Sequence, residues 1–384
     1  MRYLRLIIIN IALTLISFEI LAIFFIYFFN YTTPPRFFYK ATHIEDNNPY
    51  FGVWHKPNST FNHIRKCFNV YYNFNSYGAR DAERSKKSKN FRGVILGDSF
   101  IEGYGLSDDY RISNILEKKI GKELLNFGTS GNFSTTQIAL MYEHIVSKFD
   151  HDFIIVGLYP ANDFDENSLV FGEKKLNKRY RPYRIFNEKN GNYDLVYFLN
   201  KIEESAWHPK NINKTQDSFL LAFKNMTHTG TLLSVIKKRL IDRMKYYKLK
   251  KNKNYHAGYG HDGRKSRFNQ YSNEELELIK YDLLKIVDFA NDKPLFVFSI
   301  PSINDFNYAF SGKPDFNRLG VSLKKFCNEN NINYIDLYSE LLKIYNKNNF
   351  KDLYFSCDGH FSREGSKISS EIIFKYLDSS SKIN

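Results

Sequence analysis

One stretch restricts this chain more than any other. From Leu6 to Phe29 the sequence is apolar apart from Asn10, Thr14, Ser17 and Glu19. As a helix these residues rise ~1.5 Å each and cover ~36 Å, more than the ~30 Å hydrocarbon core of a bilayer. A buried core helix this uniformly apolar would be unusual. The run is longer than the apolar region of a signal peptide. It ends in Phe28-Phe29-Asn30-Tyr31 and not in small residues suited to cleavage. The expectation is an uncleaved transmembrane anchor over residues 4–29. Arg2 and Arg5 precede it, which favours a cytoplasmic N-terminus and a body on the exported, periplasmic or extracellular side. Arg36 and Lys40 on the far side oppose that orientation. Glu19 falls mid-span, where a carboxylate is costly unless it protonates or is partnered. A membrane partner helix, a polar headgroup and a tolerated neutral acid are all open for it.

The remainder is long enough for a full core. The chain has 384 residues, 43% hydrophobic and 25% charged, which excludes wholesale disorder. The net charge of +14 suits polyanions such as phospholipid or acidic glycan. Richness in Lys, Asn, Ile, Phe and Tyr fits an AT-biased genome equally well. No nucleic-acid module is recognisable. Three cysteines are too few for a disulfide-built fold and lack metal-ligand spacing. Cys327 and Cys357 are a candidate pair in an oxidising compartment, with Cys67 left over. His256 and His261, five apart in a Gly-rich stretch, suggest surface histidines more than a metal site, and neither metal nor cofactor is expected.

Residues 30–90 read as a linker and lead-in. Thr32-Thr-Pro-Pro-Arg36 is a stiff exit, and residues 40–90 look polar, aromatic and irregular. From 91 to 384 an α/β pattern takes over. Short buried-type strands are expected at Gly93–Leu96, Leu124–Phe127, Phe153–Leu158, Pro294–Ile300 and Asn333–Leu337, most of them separated by helical periodicity. Ser134 is placed to cap one helix, and Ser272 with Glu275 forms a capping box before another. Alternation of this kind predicts an α/β fold with a parallel sheet of about five strands covered on both faces. The stretch 165–290 is too long for an ordinary crossover. It reads as an insertion containing a hairpin over Tyr180–Leu199, turning at Asn190-Gly191-Asn192, and a basic amphipathic helix over Leu232–Tyr247. Insertions of this size on such sheets form lids or substrate walls.

The chemistry begins at Val94-Ile-Leu-Gly97-Asp98-Ser99-Phe100, a buried strand running straight into Gly-Asp-Ser. Ser99 is thereby set at the carboxyl end of the first core strand, where open α/β sheets hold ligands. A serine needs a base to become a nucleophile. Cys357-Asp358-Gly359-His360 near the C-terminus supplies a histidine with a carboxylate two residues away. One ring nitrogen can bond Asp358 while the other takes the Ser99 proton. An oxyanion needs donors. Gly131 in the loop after the second strand offers a backbone N–H, and Asn162 after the third offers a side-chain amide. Structural readings stand beside each of these: a turn serine, a satisfied Asp–His loop pair, an Asx turn at Asn162-Asp163.

Taken together and in order, Gly97-Asp98-Ser99, Gly131, Asn162 and Asp358 with His360 resemble the four blocks of the SGNH (GDSL-type) hydrolases, in particular membrane-anchored bacterial-type members. The resemblance covers about residues 91–167 and 294–376. It implies a flavodoxin-like three-layer α/β/α fold, with Ser99 as nucleophile, His360 as base and Asp358 as its orienting acid. It also implies an oxyanion hole from the Ser99 N–H, the Gly131 N–H and the Asn162 amide. One departure is the spacing Asp-x-His, where many members have Asp-x-x-His; that variant resembles branches acting on polysaccharides. Asn75-Ser-Tyr-Gly78-Ala-Arg80 also looks like the N-x-x-G-x-R lead-in of anchored members, and a plain bracing of the fold is the reading open for Arg80. The expected activity is an esterase or O-acyltransferase working through an acyl-serine on an envelope or surface carbohydrate ester. A lipid esterase and a non-catalytic envelope scaffold, recruiting a membrane partner through Glu19, are the alternatives.

Overall fold

The computed structural model describes residues 2–28, 43–65, 67–216, 223, 227–234, 236–237, 240, 244, 265–312, 314 and 316–383. The exit linker at Thr32–Arg36, the basic stretch after Met244, and His256 and His261 lie outside the described residues. The chain divides into two units. One gathers Met1–Thr42, Ile64–Lys66 and Lys210–Ala257; the other gathers His43–His63, Cys67–Pro209 and Gly258–Asn384. The insertion read at 165–290 is therefore shared, its hairpin in the larger unit and Lys210–Ala257 in the smaller.

The smaller unit contains the helix α1 (Arg2–Phe28), long and apolar enough to cross a membrane. Its side chains are exposed almost throughout, with Ala22 and Ile26 buried.

The larger unit opens with strands that the sequence reading missed. β1 (Ile44–Asn48) pairs antiparallel with β2 (Gly52–His55), and β3 (Ser59–Arg65) forms a second two-stranded sheet with β4 (Phe68–Phe74). The reason lies in alternation. Phe61 and His63 on β3, and Phe68, Tyr72 and Phe74 on β4, point inward while polar neighbours face out. Phe61, Tyr72 and Phe74 close a small core of their own. Histidine and tyrosine read as polar in sequence, and here they are core.

The central sheet follows the expected strands closely. β5 (Gly93–Gly97), β6 (Leu124–Gly128) and β7 (Phe153–Leu158) precede the hairpin β8 (Pro182–Asn187) and β9 (Asn192–Tyr197); β10 (Leu295–Ser299) and β11 (Asn333–Ile335) complete the sheet. Its order is β6-β5-β7-β10-β11, with every pair parallel. Counting core strands alone, that is the 2-1-3-4-5 order of flavodoxin-like folds. All residues of β5, β6, β7 and β10 are buried, so both sheet faces need helices.

Topology supplies them. After β5 come α2 (Ser99–Glu102) and α3 (Ile112–Ile120), and α4 (Thr135–His144) joins β6 to β7. The path steps outward from β5 to β6 and then back across to β7, so right-handed crossovers put α3 and α4 on opposite faces. α3 packs with the C-terminal helix Arg363–Asp378, and α4 with the helix Asn273–Ala290. The Ser272–Glu275 capping box forms on both arms, and Ser134 caps its helix with its backbone N–H donating to Gln137 Oε1 at 3.1 Å.

The cysteines pair differently from the expected Cys327–Cys357. Cys67, in the β3–β4 turn, is bonded to Cys357, with Cα atoms 5.7 Å apart. Cys327 is a free thiol, fully buried in the core on the helix Arg318–Glu329.

Candidate active site

The strand order reverses between β5 and β7, and a crevice opens at the carboxyl ends of strands at such a point. Ser99 follows β5 as the first residue of α2. Asn162 lies in the first turn of α5 (Pro160–Glu166), directly after β7. Asp98 caps α2 by accepting from the Phe100 N–H at 2.9 Å, which turns the chain out of the sheet and lifts Ser99 to its edge.

Ser99 Oγ is 2.7 Å from His360 Nε2. The other ring nitrogen, Nδ1, meets Asp358 Oδ1 in a short hydrogen bond, and Asp358 also accepts from the His360 backbone N–H at 3.2 Å. An aspartate cannot accept unless Nδ1 carries the proton, so Nε2 presents its lone pair to Ser99. The His360 ring stacks on Tyr104 at 4.1 Å and leans on Phe100 at 4.9 Å. Asp358 and His360 are each 22% exposed, so a substrate can reach them. Three of the five expected residues are thus within hydrogen-bonding reach of one another across a separation of 261 residues.

The two remaining residues sit at the same sheet edge. Asn162 Nδ2 donates to Asp98 Oδ2 at 3.0 Å. An amide carries two N–H bonds, so one is fixed by Asp98 and the other is left for a ligand. Gly131 follows β6 with φ +99°, a conformation that side chains other than glycine's rarely adopt; a Cβ there would also meet Ile44 at 2.6 Å. Its backbone geometry is what fixes glycine at this position.

The ground beneath Ser99 is acidic. Burial raises Asp98 to about 6, against the opposing pull of the Phe100 N–H, His360 and Asn162. Burial, with Asp98 and Glu166 as neighbours, pushes Asp163 well above the usual carboxylate range. Burial raises Glu166 to about 7, although Arg181 and Asn132 hold it back.

Sequence reasoning missed a second set of residues, which brace α2 from behind. Glu102, three residues after Ser99 on the same short helix, is fully buried. It meets His55 Nε2 at 3.1 Å and His43 Nε2 at 3.3 Å. His55 Nδ1 donates to the Gly78 carbonyl at 2.8 Å, and Ser130 and Thr129 hydroxyls touch the two Nε2 atoms at 3.0 Å. Burial opposes ionisation of Glu102, yet the bonds and charge from His43 and His55 bring it well below the usual value. Ligand atoms of His43, His55 and Glu102 lie within 4.8 Å of one another, so among the described residues this is the group that could hold a metal ion. It is equally complete as a hydrogen-bonded brace.

The lead-in motif explains itself at this point. Asn75 Oδ1 accepts from the Tyr77 and Ala79 N–H groups at 3.0 Å, an Asx-type turn. Gly78 has φ +84°, and a Cβ would strike Trp54 Nε1 at 2.5 Å. Arg80, with no exposed surface, donates from Nη1 to the carbonyls of Glu102 (3.0 Å) and Gly103 (2.6 Å), and from Nη2 to that of Leu106 (2.6 Å). Its guanidinium lies over the Tyr72 ring at 3.4 Å. Arg80 thus closes the C-terminal end of the helix that begins with Ser99. The only sequence signal for this was the spacing itself.

A separate cleft of about 980 Å³ lies between the β8–β9 hairpin and the helix Asn273–Ala290, lined by Phe164, Ile185, Phe186, Tyr193 and Tyr281. Ser99 and His360 are not among its walls.

No protein-family model matches the chain, and no curated protein matches it. Solved structures do. A member of the lipolytic G-D-S-L family from Veillonella parvula is 12% identical, with 76% of this chain and 100% of that one covered, at a TM-score of 0.36. A lipase/acylhydrolase from Enterococcus faecalis is 12% identical over 75% of this chain and 95% of that one, at 0.35. A catalytic mutant of an acetylxylan esterase from Geobacillus stearothermophilus is 12% identical over 76% and 96%, at 0.36. At such scores the likeness carries no weight for the chemistry, which rests on the geometry of this chain.

Proposed function

We propose that the chain is a membrane-anchored serine ester hydrolase or O-acyltransferase of the SGNH type, acting on an envelope carbohydrate ester. One observation carries the reading: a serine oxygen 2.7 Å from an imidazole whose other nitrogen is held by a carboxylate, at the reversal point of a parallel sheet.

The steps follow from the atoms. Ser99 gives its proton to His360 Nε2 as Oγ attacks the acyl carbonyl. The oxyanion is received by the Ser99 and Gly131 N–H groups and by the Asn162 N–H that Asp98 leaves unused. Asp358 stabilises the imidazolium, which then protonates the departing alcohol. Water or a sugar hydroxyl, deprotonated by His360, then attacks the acyl carbon; the Ser99 Oγ–acyl bond breaks and His360 returns that proton to Ser99 Oγ. Asp98 gains a role here as the residue that positions Asn162.

α1 supplies the anchor in this reading. The Cys67–Cys357 disulfide supports a body on the oxidising side of the membrane, since such bonds are rare in the cytosol. An exported, anchored enzyme meets surface glycans, which favours a carbohydrate ester.

The test is a chain-length series of p-nitrophenyl esters with the full chain in detergent, beside Ser99→Ala. A preference for acetate that is lost in the variant supports the carbohydrate reading. A preference for long acyl chains overturns it in favour of a lipid ester.

A further inference from the structure

Glu19 is the one acidic residue within α1, and its carboxylate is occupied at four points. Oε1 accepts from the His228 backbone N–H at 2.6 Å and lies 2.8 Å from His228 Nδ1. Oε2 accepts from the Thr229 backbone N–H at 3.0 Å and from the Thr229 hydroxyl at 2.8 Å. These backbone donors are the first amides of a second helix, which begins at His228. The next are satisfied locally: Gly230 donates to the Thr227 hydroxyl at 2.9 Å and Thr231 to the Thr227 carbonyl at 3.1 Å. Every N–H that a helix start leaves open thus has a partner. Ala22 and Ile26, one and two turns along α1 from Glu19, are the buried pair of that helix.

In water a helix start needs no such completeness, because solvent serves it. In hydrocarbon both a bare carboxylate and a bare helix end are costly, and here each cancels the other. The lengths agree with that setting. Phe28 is nine residues beyond Glu19, and Lys237 is nine residues beyond His228. At ~1.5 Å per residue both distances are ~14 Å, about half of a ~30 Å hydrocarbon core. Between His228 and Lys237 the sequence Thr-Gly-Thr-Leu-Leu-Ser-Val-Ile carries no charge, and Lys237-Lys238-Arg239 follows at once. Leu233 (55% exposed), Ile236, Leu240 and Met244 all face away from protein, at steps of three and four residues that mark one helix face.

We propose that the helix beginning at His228 is embedded in one leaflet, beside the Phe28 half of α1. Glu19 holds its N-terminus at the bilayer midplane, its exposed apolar face meets lipid acyl chains, and Lys237 reaches the headgroup phosphates. The inference rests on the reading of α1 as a membrane anchor. It makes the helix that begins at His228 a second membrane element and not part of a lid.

The test places single cysteines in the full chain, reconstituted in phosphatidylcholine–phosphatidylglycerol vesicles, and follows labelling by a membrane-impermeant maleimide. Positions are Leu233→Cys and Ile236→Cys on the proposed helix, Leu13→Cys in α1 and Glu329→Cys on the body. The unsubstituted chain gives the background, since Cys67 and Cys357 are bonded and Cys327 is buried. Leu233→Cys and Ile236→Cys are expected to react at least about tenfold more slowly than Glu329→Cys, and as slowly as Leu13→Cys. Protein cannot supply that protection, because Leu233 is exposed from it. Adding Glu19→Leu is expected to restore labelling at Leu233→Cys while Leu13→Cys stays shielded. Fast labelling of both helix cysteines with Leu13→Cys shielded overturns the inference alone. Fast labelling of Leu13→Cys overturns the anchor and the inference with it.

Discussion

Replacing Arg80 with methionine tests how the site is held. The substitution keeps an unbranched stem over Tyr72 and removes the guanidinium. The carbonyls of Glu102 and Leu106 then lose the donor they have inside the protein, and that of Gly103 keeps only the Leu106 N–H at 3.0 Å. Two orphaned buried acceptors cost about 4 kcal/mol, and the lost charge-assisted bond to Gly103 about 2, so the three together cost roughly 6 kcal/mol. Part of this is returned. Burial, against the pull of Tyr72, Glu102 and Asp108, lowers the Arg80 pKa from 12.5 to about 10. Arg80 therefore stays charged at neutral pH, at a desolvation cost of about 3 kcal/mol that methionine does not incur. The expected net loss is about 3 kcal/mol, measured by equilibrium urea unfolding of the full chain in detergent. Arg80→Lys keeps the charge but cannot bridge three carbonyls with a planar fork, so it falls between methionine and wild type. Each variant should also slow acylation of Ser99, because α2 loses its fixed end. A loss below about 1 kcal/mol for Arg80→Met, with Ser99 reacting at the wild-type rate, would refute the bracing role.

Three further outcomes are expected. Glu102→Gln leaves His43 and His55 without their carboxylate and should cost about 3–5 kcal/mol. The native Glu102 pKa is depressed, so its contribution is present above the ordinary value of 4.5 and lost as pH falls through it; that acid-side loss should be smaller in the variant, as read from thermal unfolding between pH 3 and 7. Glu166 behaves oppositely. Its native pKa is raised from 4.5 to about 7, so its burial is harmless below pH 4.5 and becomes destabilising as pH rises to 7, by about 3 kcal/mol. Glu166→Gln, which can still accept from Asn132, should be more stable than wild type at pH 8 and equal to it near pH 4. Finally, Cys67→Ser with Cys357→Ser opens a loop of 290 residues, worth at most about 6 kcal/mol in chain entropy. It also unties the segment that carries Asp358 and His360, so ester turnover should fall with the acyl-serine step slowed.

Strands with wholly apolar runs, such as Phe153–Leu158, were legible from sequence because burial on both faces leaves no other residue type. The meeting of Ser99, Asp358 and His360 was legible, since each is a specific residue type at the end of a specific element. The strands from Ile44 to Phe74 were not, because their inward residues include His55, His63 and Tyr72, whose polarity hides the alternation. Of the brace only Arg80 was legible, from its motif; Glu102 and His55 are ordinary surface types, and nothing local says they are buried together with it. The disulfide partner of Cys357 depended on which turn the β3–β4 hairpin brings to the loop of Asp358 and His360, a tertiary fact with no local signature. Glu19 was recognised as needing a partner, but the helix that meets it comes 209 residues later.

The central claim is that Ser99 is an activated nucleophile. Full-length chain in detergent, treated with a fluorophosphonate and followed by intact mass and peptide mapping, tests this directly. The account predicts one adduct, on Ser99, absent from Ser99→Ala and strongly slowed in His360→Ala. A folded wild-type chain that takes up no label, or takes it up elsewhere, would contradict it.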